Sequence, residues 1–168
     1  MTSEQSLFEK LGRELYQTET SAVVHSRREA ARLPDTPVAA ALLQVAEHAE
    51  LRLANLPTAI QQRPELAIGK TAGRFLSAMR QLVIDRLVDR ERSFRGTLLG
   101  MHHGIDLVRL ILSLASEQGE TELAGWCRSW LETRVPLVEQ ATAQLEWFAR
   151  HPREAIESGR STLALNHD

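Results

Sequence analysis

Apolar positions recur along this chain at steps of three and four residues, the period of one face of an α-helix. Turn signals are few: PDTP at 34 to 37, the residues around Pro64, and SEQGET at 116 to 121. Everything between them reads as helix. The pattern predicts helices over about 3 to 33, 37 to 62, 70 to 117 and 121 to 150, with a short one after Pro152. The third is long for a globular element, so a break is expected near Asp89 to Ser93, where charge is densest. Pro37 suits a first helical turn, whereas Pro57 and Pro136 fall inside helical patterns and predict kinks. The expected fold class is all-α: a single helical-bundle domain over 1 to 168, with a short C-terminal extension from about 151.

Placing each residue at 100° per step shows what each helix buries. The first helix gathers Phe8, Leu11, Leu15, Ala22, Val23, Ala30 and Leu33, with Glu19 close to the centre of that stripe. The second gathers Val38, Leu42, Val45, Ala49, Leu53, Leu56 and Ile60, with His48 and Arg52 on its flank. The fourth gathers Leu123, Trp126, Trp130, Leu137, Val138, Ala141, Leu145 and Phe148, with Arg134 in the middle and Glu132 facing nearly the opposite way. The third carries two apolar sides, Phe94, Leu98, Met101, Ile105 and Leu112 on one, Leu99, Leu107, Leu110 and Leu114 on the other. It is therefore expected to be buried twice over. Between those sides runs a polar strip of Arg95, His102, Asp106, Arg109 and Ser113, either a solvent edge or a functional line.

Two features of this pattern are costly and so informative. Glu19 and Arg134 are opposite charges centred on apolar stripes, and neither tolerates burial alone. A direct ion pair resolves the cost; the alternative is that Arg134 snorkels out past a helix bent by Pro136 while Glu19 reaches the bundle end. Gly96, Gly100 and Gly104 repeat every four residues, each costing about 1 kcal/mol relative to alanine in mid-helix. Close approach of another backbone or of a large ring offsets that cost. The partner is either a helix of a second chain in a homodimer or the rings of Trp126 and Trp130.

Composition narrows the rest. With 43% hydrophobic and 25% charged residues the chain is an ordinary globular sequence. The net charge of −2, with no isolated basic run, argues against nucleic acid as a partner. No run of 18 apolar residues is free of charge, so no membrane span is expected. A lone Cys127 and a polar start, MTSEQSLFEK, lead to the expectation of a cytoplasmic protein without disulfides. No nucleophile elbow, phosphate loop or dinucleotide fingerprint is present.

The segments LFEKLGRELYQTET, AEHAELRLANL, FLSAMRQLVID, MHHGIDLVRLILSLASEQG and WLETR together resemble the ferritin-like superfamily, in its YciE/YciF-like, stress-associated bacterial branch. The resemblance spans about 5 to 146 and implies an antiparallel four-helix bundle with a metal site between the helices. Carried over residue by residue, it matches Glu19, His48, His102 and Glu132 to metal ligands. Met101 and Thr133 stand where the family has two further acids, and the helical period turns Arg134 inward in their place. The expectation is thus a ferritin-like homodimer without catalytic residues or a favoured cofactor, a binding or structural protein in stress. The rival is a carboxylate/histidine protein holding iron, manganese or zinc at those four residues. A third reading is a small-molecule carrier with a slot beside the glycines.

Overall fold

The computed structural model describes residues 3–57, 60 and 89–157. They form helices, with no strand among them: α1 (Ser3–Arg32), α2 (Pro37–Ala54), α3 (Arg90–Glu117), α4 (Thr121–Ala143), α5 (Leu145–Arg150) and α6 (Pro152–Ile156). The predicted start of the third helix, 70 to 88, and most of 58 to 62 lie outside the described residues.

Local chemistry sets the ends. Asp35 takes a left-handed φ of 59° in the α1–α2 turn. Thr36 then caps α2, its hydroxyl accepting from the Ala39 amide at 3.2 Å, and Pro37 supplies the preset φ of a first turn. α2 stops at Ala54, earlier than the periodicity suggested, and Pro57 is not a kink within it. The restriction that a proline places on the residue before it favours that early stop. At the other hairpin Gly119 adopts φ 72°, the Glu120 amide reaches the Ala115 carbonyl (2.9 Å) and the Gly119 amide the Ser116 carbonyl (3.4 Å). These two bonds satisfy the last carbonyls of α3 by a Schellman motif. α4 continues through Pro136, and the helical path is interrupted at Gln144, between α4 and α5. The segment after Pro152 folds back on α3, with Arg90 bonded to Glu157 through main chain and side chain.

α1 packs on α2 and α3, and α4 packs on the same two helices. The stripes meet as expected at Leu15, Leu42, Val45, Phe94, Leu123, Trp130 and Val138, all fully buried, and Val108 and Ile111, which belonged to neither expected side of the third helix, are fully buried with them. α3 departs from its expected double burial. Leu107 is buried, but Leu99 and Leu110 of the same side are 72% and 49% exposed. The polar strip of Arg95, His102, Asp106, Arg109 and Ser113 is exposed throughout. An 18-residue stretch of α3 has mean hydropathy 1.3, long and apolar enough to cross a bilayer by length and composition, and 44% of it is buried inside the protein.

Candidate functional site

The centre of the core is polar. Glu19 from α1 and Arg134 from α4 are both fully buried, and Arg134 Nη2 donates to Glu19 Oε2 at 2.7 Å. Of the two readings open from sequence, the ion pair is the one adopted, and snorkelling is not. Arg134 also donates from Nε to His48 Nδ1 at 2.8 Å and lies over the Trp130 ring, 4.7 Å from its centre. The guanidinium is thus held by a carboxylate, an imidazole and an aromatic face, each from a different direction of approach.

His48, placed on a flank by periodicity, is buried here, and its other nitrogen, Nε2, lies 3.0 Å from Arg52 Nε. A neutral imidazole has only one acceptor nitrogen. The shorter, buried bond from Arg134 assigns the ring proton to Nε2, so Arg52 is anchored instead by Ser129, whose carbonyl and hydroxyl each accept from Nη2 at 3.0 Å. Burial, then the adjacent Arg134 and Arg52 cations, depress the His48 pKa to about 3. Burial also raises the Glu19 pKa, with Arg134 opposing it, and lowers that of Arg134, with Glu19 opposing. The Trp130 indole N–H helps to hold Glu19 ionised, yet neither that N–H nor Glu19 Oε1 completes a hydrogen bond among the described residues.

The residues matched to metal ligands do not gather. His102 is on the surface, its Nε2 3.4 Å from Thr142 Oγ1, and Glu132 is exposed on the far side of α4. Among the described residues no three His, Cys, Asp or Glu side chains converge on one point. A fixed guanidinium bonded to both Glu19 and His48 also sets a positive charge where a cation would have to sit. The donor set among the described residues therefore does not fit a ferritin-type di-metal centre.

The three glycines separate. A Cβ at Gly104 would meet Thr18 Cγ2 at 3.0 Å and Trp130 Cη2 at 4.0 Å, so this position is filled from within the chain. At Gly96 and Gly100 nothing lies within 4 Å among the described residues, so no close packing partner is found for them there. They line a cleft of about 800 Å³ between α1 and α3, with Arg28 and Arg92 toward one end, Glu14 and His103 toward the other, and Glu19 and Arg134 beneath.

Periodicity missed a second buried carboxylate. Glu29 accepts from Ser93 Oγ (2.9 Å), Arg32 (3.1 Å) and Arg28 (3.2 Å), tying α1 to the first turn of α3. The signal was present: Leu15, Glu19, Ala22, Ser26, Glu29 and Leu33 step by four and three along one face. Cys127 is buried core, its thiol pushed up to about 12 by burial.

No protein-family model matches this chain, and no curated protein matches it in sequence. A solved structure, the protein XCC3681 from Xanthomonas campestris pv. campestris, is similar in fold with a TM-score of 0.67. It is 18% identical, and the alignment covers 90% of this chain and 97% of that one. At that identity the likeness speaks for the helical fold alone.

Proposed function

We propose that this protein is a ferritin-like, antiparallel four-helix bundle in which an arginine has taken the place of the metal, and that it serves as a non-catalytic binding or structural homodimer. One observation carries the reading: the buried Arg134 guanidinium bonds Glu19 at 2.7 Å and His48 at 2.8 Å, using the two core residues that the metal reading needs. A stress-associated role follows from the sequence resemblance alone. Among the described residues, His48 is a depressed, arginine-bound base and Cys127 a buried thiol of raised pKa, neither suited to activate or act as a nucleophile.

The test is elemental analysis of untagged protein after exposure to Fe(II), Mn(II) and Zn(II), with Glu19→Ala alongside. The expected result is far less than one metal per chain in both. Near-stoichiometric metal that disappears in Glu19→Ala overturns the reading in favour of a metalloprotein.

A further inference from the structure

Among the described residues, α3 packs one face against its neighbours and leaves another uncovered. On the uncovered face, exposed residues recur at alternating steps of four and three, the spacing of a seam that packs against a second helix. The seam begins at Arg92, continues through Gly96 and Leu99 to His103, and then repeats the same steps from Asp106 through Leu110 and Ser113 to Glu117. Leu99 and Leu110 are among the large apolar side chains left open to solvent.

The order of these residues is self-complementary about a point between Gly104 and Ile105. Equidistant from that point stand Arg92 and Glu117, opposite charges; Gly96 and Ser113, both small; Leu99 and Leu110, both apolar; and His103 and Asp106, a base and an acid. A two-fold axis through that point is the operation that relates two antiparallel copies of one helix. Each residue of the seam then faces its complement on the other copy, in the layering of an antiparallel coiled pair. We infer that this face of α3 is the interface with a second copy of this chain, in that antiparallel register.

Several local facts agree with it. Among the described residues nothing lies within 4 Å of a Cβ added at Gly96, whereas facing Ser113 its missing side chain lets two helix backbones approach closely. His103 uses Nε2 on Glu14 of its own chain at 3.0 Å, which leaves Nδ1 for Asp106 of the second copy; Asp106 meets Arg109 at 3.3 Å through one oxygen and keeps the other. The seam runs for about 25 residues, or about 38 Å at the helical rise, and the α1–α3 cleft along its edge would be roofed by the incoming helix. This inference rests on the homodimer part of the reading above and not on the absence of metal.

The test is sedimentation equilibrium of the full chain over a range of concentrations, for wild type, Leu99→Glu, Arg92→Glu, Glu117→Arg and the double variant Arg92→Glu/Glu117→Arg. A two-chain mass is expected for wild type, with Leu99→Glu weakening association roughly thirtyfold or more, as loss of a central apolar anchor does. Each charge reversal alone should weaken it by about tenfold, and the double variant should recover most of that loss because both pairs across the axis are restored in swapped form. All three substituted positions are exposed, so unchanged helicity by circular dichroism checks that folding is intact. A monomer overturns the dimer itself. A dimer that ignores Leu99→Glu places the contact elsewhere and overturns this face while leaving a homodimer standing. A double variant no better than its parents overturns the register.

Discussion

Glu19 and Glu29 sit on one face of α1, and both are buried, yet they are neutralised in opposite ways. Glu29 lies near the rim and takes three donors, two of them arginines whose outer parts stay partly in water. Glu19 lies at the centre, has one cation, itself fully buried, and keeps one oxygen without a hydrogen bond among the described residues. A carboxylate at the rim can share several flexible, hydrated partners, so no single one matters greatly. One at the centre depends on a single fixed partner, and the loss of that partner leaves a desolvated charge.

The largest break in the comparison is therefore at Arg134. Arg134→Met is expected to cost roughly 3 to 5 kcal/mol in urea unfolding at fixed protein concentration, whereas the double variant Glu19→Leu/Arg134→Met should regain most of that loss. If the double variant is as unstable as the single, the pair is not what holds the centre together. His48 gives the next effect. Its folded pKa of about 3 lies below its ordinary 6.5, so the unfolded chain binds more protons between those values. Its contribution is complete above about pH 6.5 and is lost as pH falls toward 3, at roughly 1 kcal/mol per pH unit. Unfolding curves taken across that window should show this slope, and His48→Gln should flatten it; an unchanged slope would assign the acid sensitivity to other groups.

At the rim the effects shrink. Ser93→Ala removes one of three donors to Glu29 and should cost about 1 kcal/mol by thermal unfolding, well below Arg134→Met. A loss equal to that of Arg134→Met would erase the distinction between the two carboxylates. Smallest and opposite in sign is Gly100→Ala, which adds a Cβ in open space and should raise stability by about 0.5 to 1 kcal/mol. Gly104→Ala, forced against Thr18 at 3.0 Å, should lower it instead, and equal effects at the two glycines would mean the helix is not seated as described.

The amino-acid sequence by itself determined the helices and which sides of them are apolar, because the 3.6-residue period and the caps at Thr36 and Gly119 are local properties. It also placed Glu19 and Arg134 at the centres of apolar stripes, since each is surrounded on its own helix by apolar neighbours at three and four residues, but it left open whether the two pair in the core or reach out of it. It did not determine that His48 would join them. A residue at the edge of a stripe is buried or exposed by the rotation of its helix against the next one, which no single helix encodes. The same holds for Ser93, which becomes a ligand of Glu29 only because α3 starts beside the end of α1. For the glycines, sequence showed that something had to offset three helix-weakening residues. Only the tertiary structure decided that Trp130 and Thr18 reach Gly104 while no described residue reaches Gly96 or Gly100, because that depends on where neighbouring helices end and how far their side chains extend.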